Sequence, residues 1–507
     1  MSDHPTPLPH RRRRTAQKVT NRTAIIRYCD VLTEAVLYFM IIFSPWAFGT
    51  TQPWAVWTMN VGGFFLGALL LAKKITHSPI SGDQPSPSLH VARPSRGHYL
   101  TLGLIVFTCF ILVYCLVSAL NARARYIESQ QSFEYFQNFI RWLPHSYARD
   151  RTLAWFWNCL ALALTFWATC NWLTTDPSAP SGRRRSVAIP EKPMLPRLHR
   201  LFWLLSINGA LLAFQGLLQR VDGGAKLLWL METRINREAA SQFGPYAYRS
   251  NAAQYFNLLW PAMLGFWWWL ELRCRETYSF SSRHRLLLPL VIIVAICPLV
   301  SLSRAGAAVA LMNAVGVGAI ILISWRGSRA RLAWTLGITV MALAGLAFYF
   351  NGHELARRFA SSSQDYLVGR EGTYETARKI LADYPIFGTG PGTFEPVFQL
   401  YRTSTEQYWP SQLHNDWLET AITFGAVGLT ATILALALLL LRCLVAGSSQ
   451  TPWSFAAMLW VAIAGCLVFA KVDFPFQIYS ILFLFLLLCA VLLGISNINA
   501  SASRETG

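Results

Sequence analysis

The sequence predicts an all-α integral membrane protein of about 12 transmembrane helices, with one long extramembrane loop between the ninth and tenth spans. Three observations carry this. Hydrophobic residues make up 54% of the 507 and charged residues only 14%, where a soluble domain carries roughly a quarter charged residues. Mean hydropathy is +0.35. Apolar runs also recur at the length of about 20 residues that a helix needs to cross a bilayer.

The runs fall at 31–49, 52–72, 99–118, 153–173, 201–219, 252–271, 286–302, 305–324, 333–350, 416–441, 453–471 and 476–496. Residues 1–30 then form a basic cytoplasmic tail, 31–496 one polytopic membrane domain, and 497–507 a second cytoplasmic tail. The basic stretch Arg11–Arg14 precedes a full-length span without a small-residue cleavage site, so no cleavable signal is expected. The segments assigned to the inside hold 26 of the 44 Lys and Arg, and the outside holds 18. That bias puts the amino terminus in the cytoplasm. The outside nevertheless keeps Arg249, Arg304, Arg357, Arg358, Arg370, Arg378 and Arg402, more positive charge than topology alone requires.

The net charge of +19 therefore divides between a topology signal inside and a candidate anion site outside. Basic residues are scattered over loops with no recognisable module, so nucleic acid is not an expected partner. The ten cysteines lie in spans or on the cytoplasmic side, and no Cys/His spacing or paired-aspartate motif indicates a metal. No cofactor is expected.

Segments 75–98 and 174–199 are rich in Pro, Ser and Arg and read as cytoplasmic linkers. Outside, Tyr126 to Trp142 reads as a short interfacial helix. In the long loop, about 351–415, Thr373 to Asp383 reads as a helix with Tyr374, Ala377, Ile380 and Leu381 on one side and Pro385 as its stop. The following Phe387-Gly388-Thr389-Gly390-Pro391-Gly392 lacks the lysine of a phosphate-binding loop and reads as a tight structural turn.

The loop ends in His414-Asn415-Asp416-Trp417-Leu418-Glu419 as the tenth span begins. Asp416 and Glu419 have the spacing of a capping box, with Asp416 as N-cap and Glu419 reaching back. His414 then lies near the positive end of a long helix, where an anion is favoured and the imidazole stays neutral. A neutral imidazole accepts a proton from a hydroxyl nucleophile; a histidine that only hydrogen-bonds at the interface is the alternative. Arg304, in Ser301-Leu302-Ser303-Arg304-Ala305-Gly306, sits between two spans with almost no loop. That depth makes it a functional candidate or a snorkelling anchor. Ser301 and Ser303 read as capping or packing hydroxyls. Arg249 precedes the span at 252, and guanidinium groups from separate loops can bind one pyrophosphate bidentately. Arg370, Arg378 and Arg402 are weaker candidates, read first as a solvated face. Asp473 reads as a substrate-orienting acid or a salt-bridge partner of Lys471.

Four stretches together resemble the O-antigen ligase and O-antigen polymerase family of bacterial membrane glycosyltransferases. They are Phe243 to Pro261, Ser301 to Gly306, Asp383 to Phe394 and His414 to Leu429, within a core of about 240–430. The resemblance implies a multi-span helical fold and a metal-independent, inverting transfer at the periplasmic face of a bacterial inner membrane. In that family a glycan moves from undecaprenyl diphosphate to an acceptor hydroxyl on lipid A–core, a protein or another lipid-linked glycan. It also implies that His414 acts on the acceptor and that Arg249 and Arg304 hold the diphosphate, with Arg370 or Arg402 assisting. Asn415, Asp416, Glu419 and Ser303 are expected to support them. The chain departs from the family pattern at Thr423, where many relatives carry glutamate, and at Tyr248-Arg249-Ser250, where Asn-Arg-Asn is frequent. A repeat-unit polymerase remains the alternative within the family. A transporter or flippase, or a structural assembly partner, remains the alternative outside it.

Overall fold

The computed structural model describes residues 10–77, 96–174, 196–233, 236–276, 282–325, 365–402, 410–445 and 452–506. Apolar side chains with no competing turn chemistry form helices along almost all of this length. These are α1 (His10–Trp46), α2 (Pro53–His77), α3 (Arg96–Leu120), α4 (Arg149–Thr174), α5 (Pro196–Asp222), α6 (Arg249–Glu276), α7 (Leu287–Val300) and α8 (Arg304–Ser324). They continue as α9 (Asp365–Asp383), α10 (Phe394–Tyr401), α11 (Asp416–Val445), α12 (Trp453–Phe469) and α13 (Tyr479–Thr506). The expected span at 333–350, and the long loop up to residue 364, lie outside the described residues. The other expected spans fall on α1 to α8 and α11 to α13. Among the described residues, eight helices are long and apolar enough to cross a membrane.

Helix α6 is not among those eight, because Asn251, Gln254 and Asn257 interrupt its apolar run. All three are buried, which is tolerable at membrane depth only where protein surrounds the helix. It packs between α7, α8 and α12, and the Asn257 amide donates to the Gly306 carbonyl at 2.9 Å. At the end of the bundle where residues 77 and 196 lie, the buried Asp30 joins Lys73 at 2.5 Å and Arg197 at 2.8 Å, tying α1, α2 and α5.

The opposite end carries two hairpins and a small second core. Strands β1 (Ala124–Ile127) and β2 (Ser132–Tyr135) pair antiparallel, where an interfacial helix was expected over Tyr126 to Trp142. The reason is alternation: Tyr126 and Phe133 pair across the strands with rings 5.1 Å apart, and cross-strand aromatic pairs stabilise a sheet. Strands β3 (Lys226–Leu227) and β4 (Met231–Glu232) form the second hairpin. The second core contains Tyr147, Ala377, Ile380, Phe394, Val397 and Leu413. It binds hairpin β1–β2, α9, α10 and the start of α11 into one cap. Ala377 and Ile380 lie on the face of α9 that the sequence predicted, and both are fully buried. Within the cap the Tyr147 and Tyr384 hydroxyls share a hydrogen bond. Burial, and then the Tyr384 hydroxyl, push the Tyr147 phenol well above its ordinary value, so the joint stays neutral.

Helix α11 is broken at Gly425, where φ is +62° and ψ −172°. A broken helix in an apolar setting strands backbone groups, each at a cost of several kcal/mol. The glycine-rich turn supplies the missing partners. Thr389 N–H donates to the Ile422 carbonyl and Gly390 N–H to that of Thr423, both at 2.9 Å. Ala426 N–H returns to Pro385 at 2.9 Å and Val427 N–H to Ile386 at 3.1 Å. The Tyr114 hydroxyl lies 2.5 Å from the Phe387 carbonyl and 2.8 Å from that of Phe424. The approach leaves no room for side chains: a Cβ on Gly425 would sit 2.2 Å from the Ile386 oxygen, and one on Gly388 2.6 Å from Gly425 N. The turn is therefore structural, and it aims the first two turns of α11 independently of the rest of that helix.

Candidate active site

His414 stands immediately before α11 in the left-handed region, φ +57°, a conformation uncommon for a non-glycine residue. Three contacts hold it there. Leu413 is buried in the cap core and its N–H donates to the Glu419 carboxylate at 2.8 Å. The Tyr374 hydroxyl of α9 donates to the His414 carbonyl at 3.2 Å. The imidazole Nδ1 lies 2.9 Å from Oδ1 of Asp473. Asp473 is 2% exposed, and the side chain of His414 keeps 30% of its surface open. A buried carboxylate on Nδ1 fixes the tautomer that carries its proton there and leaves Nε2 free as an acceptor.

The helix start differs by one residue from the capping box expected. Asn415 is the N-cap, its Oδ1 accepting from Leu418 N–H at 3.1 Å. Glu419 reaches back past Asp416 to Leu413. The Asp416 carboxylate is drawn away by the α12–α13 turn, accepting from Phe476 N–H at 2.7 Å and from the Gln477 amide at 3.3 Å. The same turn explains why Asp473 pairs with His414 rather than with Lys471: Lys471 is exposed, whereas the Asp473 backbone and Asp416 N–H meet at 3.3 Å. That contact turns the Asp473 side chain toward the histidine.

Two aromatic rings frame the pair. Phe474 meets the imidazole edge-on with centroids 4.8 Å apart, and Tyr248 does so at 5.9 Å. Tyr248 and Phe474 are stacked, 7° from parallel. Tyr248 directly precedes Arg249, the first residue of α6. Arg249 donates to the Ala240 carbonyl at 3.0 Å. The next residue, Ser250, shares a 2.9 Å hydrogen bond with Ser303, the N-cap of α8, whose hydroxyl accepts from Gly306 N–H at 3.1 Å. Arg304 follows as the first residue of α8. Helices α6 and α8 approach so closely that a Cβ on Gly306 would fall 2.4 Å from the Ala253 Cβ. Both arginines are half-buried. The positive ends of α6, α8 and α11 thus share one end of the bundle with two guanidinium groups, a strong field for an anion.

His414, Asn415, Asp416 and Glu419 gather at the start of α11, and Arg249, Ser303 and Arg304 lie at the joined starts of α6 and α8, which Tyr248 links to the His414 ring. Arg402 is the C-cap residue of α10, and the side chain of Arg370 lies outside the described residues. Sequence reasoning gave no site role to Tyr248, Phe474, Tyr374 or Arg220. Arg220 binds the Ala239 and Gln242 carbonyls at 3.0 and 2.9 Å and fastens the loop before Arg249. An arginine in the last turn of a span was the available signal.

Residues 289–433 match the family model described as O-antigen ligase. Over this segment, less than a third of its length, the chain is similar to the O-antigen ligase family. The match takes in Ser303, Arg304, His414, Asn415, Asp416 and Glu419, and it ends before Asp473 and begins after Arg249. A search of curated proteins finds none that matches. The family implies a membrane enzyme of glycosyltransferase type. Beside the site, a cavity of about 290 Å³ opens behind the first turn of α11, walled by Leu112, Trp155, Phe424, Leu436 and Leu482 and rimmed by Asp416 and Glu419.

Proposed function

We propose that this protein acts as the O-antigen ligase family it resembles does, moving a glycan from undecaprenyl diphosphate to an acceptor hydroxyl at the periplasmic face of a bacterial inner membrane. The observation that carries the reading is the His414–Asp473 hydrogen bond, 2.9 Å long, beside the joined starts of α6 and α8. In the proposed step, Nε2 of His414 takes the acceptor proton as the acceptor oxygen bonds to the anomeric carbon. The bond from that carbon to the diphosphate oxygen breaks on the opposite face, inverting the centre. Its electron pair leaves on undecaprenyl diphosphate, whose growing charge Arg249 and Arg304 neutralise, a form of electrostatic transition-state stabilisation. The imidazolium is stabilised by Asp473, and no metal takes part. Arg370 and Arg402 are proposed to contact the donor glycan from the loop. The cavity behind α11 has the apolar lining that an isoprenoid chain requires.

The reading is tested with purified protein in lipid nanodiscs and an undecaprenyl-diphosphate-linked oligosaccharide. Product that forms only when lipid A–core is added supports a ligase, the reading preferred. A ladder from the donor alone assigns the chain to polymerases. Movement of intact donor between leaflets with no covalent product overturns transfer in favour of transport.

A further inference from the structure

We propose that Tyr248 is a positioning residue for transfer, its hydroxyl holding the second oxygen of Asp473 and thereby setting how strongly Asp473 draws the Nδ1 proton of His414. The inference rests on the reading of His414 as the proton acceptor.

Asp473 is nearly sealed from solvent, so its charge is shared only with what touches it. Oδ1 faces His414 Nδ1 at 2.9 Å and accepts from Phe474 N–H at 3.2 Å. Oδ2 faces the Tyr248 hydroxyl at 3.5 Å. That span is long for an O–H···O bond, and catalytic hydrogen bonds of this kind tighten when substrate seats. The phenol is steered to the carboxylate by its ring, which lies flat on Phe474 and against the edge of His414. Tyr248 is also bonded in the chain to Arg249, the residue proposed to grip the donor. It is the side chain that touches the histidine–carboxylate pair from the segment holding the diphosphate. Donor seated on Arg249 pulls on the same loop that carries the phenol toward Asp473.

Five elements at this end of the bundle bring charged and titratable groups. The segment before α6 and its start bring Tyr248 and Arg249, the start of α8 brings Arg304, and α9 brings Tyr374 against the His414 carbonyl. The first turn of α11 brings Asp416 and Glu419, and the α12–α13 turn brings Lys471 and Asp473. Replacing Tyr248 by phenylalanine leaves every one of these charges and both ring contacts in place and removes only a hydroxyl. A carboxylate that loses a donor concentrates its charge on the remaining partners. Asp473 then holds the imidazolium more firmly, and proton acceptance sets in at a higher pH.

The test is the pH profile of kcat/KM, whose acid limb reports protonation of the essential base in the free enzyme. Tyr248→Phe is expected to move that limb upward. Tyr248→3-fluorotyrosine, a stronger donor of the same shape, is expected to move it downward. Tyr374→Phe, which removes a hydroxyl bonded to the histidine backbone, is expected to lower the rate without moving the limb. Unmoved limbs in both Tyr248 variants, or shifts of the same sign, overturn the proposal. If His414→Ala keeps normal transfer, the base itself has been misassigned. If His414→Ala is inactive while the Tyr248 variants keep the parental limb, only the role of Tyr248 falls.

Discussion

Asparagine in place of Asp473 isolates the electrostatic part of the site. Asparagine has nearly the shape of aspartate, so at this position, 2% exposed, the substitution leaves volume and packing almost unchanged. It removes one negative charge from the group 2.9 Å from His414 Nδ1. An amide at that distance can offer its NH₂ to Nδ1, which would leave the proton on Nε2, where the acceptor oxygen must deliver its own. The imidazolium formed during transfer also loses its counter-charge. Loss of a correctly held tautomer together with that charge is worth about 10⁴-fold in kcat, or about 5 kcal/mol of transition-state stabilisation at about 1.36 kcal/mol per decade. Arg249 and Arg304 are untouched, so KM for the lipid-linked donor should stay within about twofold, since an interaction made only in the transition state does not contribute to ground-state binding. Initial rates in nanodiscs over a donor concentration series separate the two constants. A variant with nearly parental kcat, or one altered only in KM, refutes the assignment of Asp473 to the histidine.

Four further outcomes are expected. Arg304→Lys keeps the charge and loses the planar two-point grip, so transfer should fall by about 10²-fold; parental rates would reduce Arg304 to a membrane anchor. Gly425→Ala forces a Cβ to 2.2 Å from the Ile386 oxygen at φ +62°, which should cost about 3 kcal/mol or more. Thermal unfolding in detergent should show it, and an unchanged midpoint would mean that α11 is not held as described. Asn415→Ala removes the cap of α11 and should lose about 1 kcal/mol, with Asn415→Asp restoring most of it. Lys73→Ala leaves a buried carboxylate with one cation fewer and should cost about 3 kcal/mol of stability, while kcat of the folded fraction stays parental. A matching loss of kcat there would tie the far end of the bundle to the reaction.

The helices were legible because apolar runs of bilayer length admit few other structures. The sharp steps between them, such as Ser301 to Ser303, marked where the chain turns back. His414, Arg249 and Arg304 were singled out for a related reason, since each stands at the mouth of a span, where charge is costly unless paired or used. What escaped is what depends on residues distant in sequence. Asp416 has the composition of an N-cap, yet its carboxylate is claimed by Phe476, 60 residues away, and Asn415 takes the cap. Asp473 has a lysine two residues before it, yet the α12–α13 turn delivers it to a histidine 59 residues earlier. Tyr126 to Trp142 carries helix-compatible residues, and its pairing as a hairpin is decided by aromatic contacts across the turn and with the cap. Tyr248 sat inside a motif read for its arginine, and only the stacked ring of Phe474 reveals where the phenol goes.

The central claim is that His414 draws the proton as glycan leaves undecaprenyl diphosphate held by two arginines. It is tested most directly by counting undecaprenyl diphosphate released per glycan transferred, in nanodiscs, by the parent protein and by His414→Ala folded to the same extent. The account predicts equal amounts of both products from the parent and neither from the variant. Comparable transfer by the variant, or donor carried across the bilayer with its diphosphate bond intact, would contradict it.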